Sequence, residues 1–169
     1  MDAGITPGPA VGKALNTLLR AVMEAACPTR KLPCWPRWKR RACCDLRHLA
    51  QTCVMWAGLK RALPARYFLQ HVYTPAEQEL IVAHTGKKQA ETAAANFAAK
   101  EAFLKACGTG LSGFSMAEIA ALRQPSGAPY LEFTGKAARF MAQNHLQAHL
   151  SLTHEAGLAG AFVVLERVE

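Results

Sequence analysis

The stretch FAAKEAFLKACGTGLS, Phe97–Ser112, decides how the rest of the chain is read. Its first eleven residues are mostly Ala, Phe and Leu, and Gly108 supplies a left-handed helix cap directly after them. A helix starting near Lys87 and ending at Cys107 follows, apolar around most of its circumference and therefore central to the fold. Into this apolar surface are set Lys100, Glu101 and Lys105, immediately before a Gly-Thr-Gly break. Residues four apart share a helix face, so Glu101 and Lys105 form either a simple i,i+4 ion pair or part of a charged site. The second alternative draws on the surroundings. A carboxylate flanked by lysines suits a metal ion bridging to phosphates, and Gly108–Gly110 lets backbone N–H groups approach an anion.

The elements around this helix indicate an α+β domain. In TPAEQELIVAH, Thr74 caps a helix, Pro75 occupies its first position and Glu77 completes a capping box. Beyond the turn signal QPSGAP, YLEF alternates like a short strand, and Thr134 caps a helix through KAARFMAQNH. LQAHLSLTH and LAGAFVVLER, separated by Glu155, Ala156 and Gly157, form a C-terminal hairpin. Strands and helices in this order predict a largely antiparallel sheet.

Composition bounds the rest. A chain of 169 residues, 51% hydrophobic, has room for one domain with a real core. The formal net charge of +8 implies an acidic partner, yet Arg30, Lys31, Arg37, Lys39, Arg40 and Arg41 crowd into PTRKLPCWPRWKRRA. Without that segment the chain is only slightly basic. Residues 1–41 carry five prolines and little periodicity, and are expected to be a basic extension or the product of a start assigned too far upstream; 42–169 are the expected domain. Trp35 and Trp38 within the basic run leave open a nucleic-acid-binding arm, although no nucleic-acid fold motif accompanies it. The 6 cysteines include no CxxC pair, and no segment approaches the roughly 20 apolar residues of a membrane helix, so a reducing, cytoplasmic setting is expected.

Outside the helix, two residues are candidates for chemistry. Asp45, in RACCDLRHLA, is one of only 2 aspartates; it is either a turn residue or a second acid for a metal. His154 ends the strand LSLTH and is either structural or a hydrogen-bond donor to phosphate.

Taken together, FAAKEAFLKACGTGLS, GAPYLEF and HLSLTHEAGLAGAFVVLE resemble the holo-acyl-carrier-protein synthases, the short-chain 4'-phosphopantetheinyl transferases. YFLQHVYTPAEQE resembles the segment ahead of their central helix, so the likeness spans residues 67–169. It implies an antiparallel sheet with a long central helix, and a transferase that uses coenzyme A and Mg2+. The phosphopantetheine arm would pass to a serine of an acidic acyl carrier protein, releasing adenosine 3',5'-bisphosphate. Glu101 and Lys105 would be the catalytic pair, and Glu101 and Asp45 the metal ligands. Lys100, Lys105, Gly108, Gly110 and His154 would face the coenzyme's phosphates. The base is either Glu101 or a metal-bound water. A homotrimer with sites between subunits is implied as well.

The chain also departs from that pattern. Cys43 and Cys44 precede Asp45 where the family has small glycines, 44 residues lie ahead of Asp45, and Asn96 stands where a phosphate-contacting Arg often sits. CVMWAGLKRALPAR between Asp45 and the TPAE helix is not family-like. A disturbed frame upstream of Tyr67 would account for much of this, and it leaves open a degenerate member that binds a carrier protein without turnover.

Overall fold

The computed structural model of the protein describes residues 46–168. β1 (Leu46–Met55) leads into two short helices, α1 (Trp56–Ala62) and α2 (Arg66–Val72). These are followed by α3 (Pro75–Val82) and the long helix α4 (Gly86–Ala106). Two 3-10 turns, Gly110–Ser112 and Met116–Glu118, precede the strands β2 (Ile119–Arg123) and β3 (Pro129–Phe133). The helix α5 (Gly135–Gln143) and the hairpin β4 (Leu146–Glu155) and β5 (Leu158–Arg167) complete the order.

β5 lies between β1 and β4 in an antiparallel three-stranded sheet, while β2 and β3 pair separately. The β4–β5 turn works because Ala156 (φ 48) and Gly157 (φ 87) are both left-handed, which matches the twist of the strands it joins. Side chains alternate across each strand, so Thr52 and Val54 of β1 share the buried face with Ala159, Ala161, Val163 and Leu165 of β5. Leu146, Ala148, Leu150 and Leu152 of β4 pack partly against the same core.

α4 lies on this face. Ala93, Ala94, Ala98, Ala99 and Ala102 are buried and let its backbone approach its neighbours closely, while Phe97, Phe103 and Leu104 fill the remaining core. Phe103 packs against Phe133 of β3 with ring centroids 4.5 Å apart and the planes tilted by 33°. Because the sheet covers one side of α4 and other elements cover the rest, the helix shows no single apolar stripe. The TPAE start behaves as its residues predict: the Thr74 side chain accepts from Glu77 N–H, and Glu77 accepts in return from Thr74 N–H at 2.9 Å. ACCDL reads as a short strand in the sequence; β1 begins at its last residue, Leu46, and runs on to Met55, while α1, drawn from the CVMWAGLKRALPAR segment, has no counterpart among the elements expected from the sequence.

Candidate active site on the long helix

Glu101 and Lys105 sit one turn apart near the C-terminal end of α4, where the helix faces β1. Glu101 is 5% exposed, and its Oε1 lies 2.7 Å from Lys105 Nζ. The same ammonium donates to Thr52 Oγ1 at 3.0 Å. Glu101 Oε2 is buried and has no hydrogen-bond partner among the described residues. An ionised carboxylate with one satisfied oxygen and one orphaned oxygen is poorly matched to a sealed interior, and well matched to a site that takes up a cation or a proton donor.

Lys100 departs from the expectation that it faces phosphates. Successive helical residues project about 100° apart, so with Glu101 toward β1 its neighbour points a little over a quarter turn away from that strand. Lys100 is 0% exposed, and its ammonium donates to Val72 O (2.6 Å), Met116 O (2.9 Å) and Glu77 Oε2 (2.5 Å). Three donors meet three acceptors, which leaves none for a ligand. Burial pushes this ammonium down to about 8 while Glu77 pulls it up, so it stays charged at neutral pH. Glu77 is equally occupied, with Oε1 accepting from Asn96 Nδ2 (3.2 Å) and Ala121 N–H (3.1 Å). Asn96 is therefore part of a buried network, and its Oδ1 accepts from the Arg123 guanidinium at 3.0 Å.

Gly108 (φ 72) and Gly110 (φ 57) are both left-handed, as the break after α4 requires, and an added Cβ would meet nothing within 4 Å at either. The backbone there is open to an approaching group. His154 lies elsewhere, in a cleft of about 350 Å³ whose lining includes His84, Lys88, Glu91, Arg123 and Pro129. Glu101, Lys105, Gly108 and Gly110 do not line that cleft, so on one chain His154 and the Glu101–Lys105 pair lie apart. Asp45 lies outside the described residues, as do the extension 1–41 and its Trp35 and Trp38.

Thr52 and Arg123 went unrecognised in the sequence. Thr52 is visible only once the alternation of β1 is assigned. Arg123 gives no local signal, since its partner Asn96 is 27 residues away. Among the described residues no group of three or more His, Cys, Asp or Glu side chains is placed to hold a metal.

Known proteins of the same build carry matching sequences. The family model of the 4'-phosphopantetheinyl transferase superfamily matches residues 58–162. Over 100 residues the chain is 46% identical to a holo-acyl-carrier-protein synthase of Trichlorobacter lovleyi, covering 58% of this chain and 78% of that protein. It is 44% identical over 109 residues to the synthase of Xanthobacter autotrophicus, covering 60% of this chain and 78% of that protein. The crystal structure of a holo-acyl-carrier-protein synthase from Bacillus anthracis in complex with CoA (3',5'-ADP) superposes with a TM-score of 0.63 at 27% identity, covering 73% of this chain and 98% of that one. The chain belongs to the 4'-phosphopantetheinyl transferase superfamily and is an enzyme of its holo-acyl-carrier-protein synthase kind.

Proposed function

We propose that the protein transfers the 4'-phosphopantetheine arm of coenzyme A to a serine of an apo acyl carrier protein, with Mg2+, and releases adenosine 3',5'-bisphosphate. The observation that carries this reading is Glu101, a buried carboxylate with Lys105 on one oxygen and no partner on the other, next to an open glycine turn.

In the reaction the serine oxygen forms a bond to the phosphorus that bears the pantetheine arm. The bond from that phosphorus to its bridging oxygen breaks, the electron pair leaves with the bisphosphate, and the serine proton passes to a base, Glu101 or a water. Charge accumulates on phosphate oxygens, so positioning and electrostatic stabilisation are the main needs. The donor set fits a hard cation: Glu101 Oε2 is the oxygen free to hold it. When bound, Mg2+ supplies neutralisation and polarisation of the pyrophosphate. Lys105, 47% exposed at its side chain, reaches from Glu101 toward solvent and is placed to neutralise a leaving phosphate. The N–H groups around Gly108–Gly110 can donate to a further phosphate oxygen.

The cleft with His84, Lys88, Arg123 and His154 is the proposed second half of the phosphate site. Its separation from Glu101 on one chain favours the homotrimer that the resemblance implies, with each complete site formed between neighbouring subunits. Lys100 takes no part in phosphate contact and serves to hold α4 in place.

The test is to mix the protein with coenzyme A, Mg2+ and an apo acyl carrier protein and to weigh the carrier by mass spectrometry. A gain of one phosphopantetheine arm is expected, and chelation should abolish it. Glu101→Gln should lower the transfer rate by at least about 100-fold, while the protein elutes unchanged from a sizing column; full activity in this variant would remove Glu101 from the mechanism. Coenzyme A binding with no mass gain would identify instead a member that holds its ligand without turnover.

A further inference from the structure

Glu77, fully buried in the first turn of α3, ties that helix to α4 and to β2. Beyond its pairing with Lys100, its Oε1 accepts from Ala121 N–H at 3.1 Å and from Asn96 Nδ2 at 3.2 Å. Asn96, 0% exposed, carries the contact outward, because its Oδ1 accepts from Arg123 Nη2 at 3.0 Å. Arg123 Nη1 donates in addition to Leu122 O at 3.1 Å. A carboxylate only accepts and a guanidinium only donates, so a side chain between them must give a donor to one and an acceptor to the other. The amide of Asn96 does both and adds no charge. An aspartate there would set a second carboxylate against Glu77, and a leucine would hold neither group.

The outer end of this chain of bonds is open. Arg123 is half-buried and lines the cleft of about 350 Å³ together with His84, Lys88 and His154. Glu91, also in the lining, pairs with Lys87 at 3.6 Å. A guanidinium has five N–H donors, so holding Asn96 and Leu122 leaves it able to donate to a ligand as well. An untethered arginine at a cleft wall samples many rotamers, and a ligand that needs one of them bears the cost of ordering it. Here the side chain is already fixed from the core.

We propose that Asn96 is a positioning residue for coenzyme binding: it holds the Arg123 guanidinium in the orientation that meets a phosphate of the coenzyme's adenosine end, so that a buried amide governs coenzyme affinity. The inference rests on the transferase reading above, which gives this cleft to the coenzyme's phosphates.

Calorimetric binding of adenosine 3',5'-bisphosphate to the full-length protein tests it. Arg123→Ala should weaken binding at least about tenfold, the loss of a hydrogen bond to a charged group. Asn96→Leu should weaken it about two- to tenfold, the cost of ordering one freed side chain. The double variant should bind no more weakly than Arg123→Ala alone, because Asn96 acts through that guanidinium. In turnover, Asn96→Leu should raise the KM for coenzyme A by the same factor as the binding loss, with a smaller change in kcat. Losses that multiply in the double variant would overturn the proposal, since Asn96 would then support only the fold. If circular dichroism shows Asn96→Leu unfolded, arginine-selective NMR of the unaltered protein decides. The Arg123 guanidinium signal, identified by its disappearance in Arg123→Lys, should show slow rotation before any ligand is added, and free rotation would overturn the proposal. Failure of the unaltered protein to bind the bisphosphate would overturn the cleft assignment and this inference together. Binding that Arg123→Ala and Asn96→Leu both leave unchanged would overturn this inference alone.

Discussion

Lys100 and Glu101 are adjacent in sequence and opposite in role. Lys100 and Glu77 form a fully buried ion pair in which every donor and acceptor is used, joining the start of α3 to the middle of α4. Such a pair gives little net stability when intact, because both charges leave water, but removing one partner strands the other. Lys100→Met should therefore cost about 3–5 kcal/mol of stability in urea unfolding. Adding Glu77→Gln to that variant should recover part of the loss, since the stranded carboxylate is then gone. A loss below about 1 kcal/mol for Lys100→Met would show that the pair does not hold α4. Glu101 differs in having one carboxylate oxygen without a hydrogen-bond partner among the described residues, which is the basis for the role proposed for it.

At the scale of the element, α4 must end abruptly for its last turn to remain open. Gly108 ends it with φ 72, and its N–H donates to Lys105 O at 3.0 Å. A Cβ added at Gly108 would have no neighbour within 4 Å, so Gly108→Ala isolates the conformational cost from any steric clash. Thermal unfolding should show a loss of about 1–2 kcal/mol, the cost of left-handed backbone for an L-residue. An unchanged stability would mean that the turn can relax to another form.

On the scale of the whole molecule, the sheet buries one face under α4 and leaves the other outward. Leu49 (59% exposed), Met55, Leu158 and Phe162 (37% exposed) all lie on that outer face, spread over β1 and β5. This apolar surface is the one we assign to contact between subunits in the proposed trimer. Phe162→Glu should shift the protein from trimer to monomer in light scattering coupled to size exclusion. It should also reduce transfer, because the two half-sites would no longer meet; a trimer unaffected by the charge would place the contact elsewhere. Among the described residues no helix is long and apolar enough to cross a membrane.

Local chemistry made much of this protein legible in its sequence. Thr74, Pro75 and Glu77 specify the start of α3, Gly108 the end of α4, and Ala156–Gly157 the β4–β5 turn, because each depends on backbone geometry within a few residues. The stretch that carries Lys100, Glu101 and Lys105 was legible as a long central helix, and α4 is that helix. The extent of β1 was not legible: a short strand was expected only up to Leu46, and the ten residues to Met55 mix polar and apolar side chains. The division of labour along the helix was also hidden. Lys100 and Lys105 look alike in sequence, and only the packing of α4 between the sheet and the Val72, Glu77 and Met116 side decides that one ammonium is sealed inward while the other reaches solvent. Thr52 beside Lys105, and Arg123 beside Asn96, are contacts over 53 and 27 residues, which strand register and helix docking create and which no local pattern encodes.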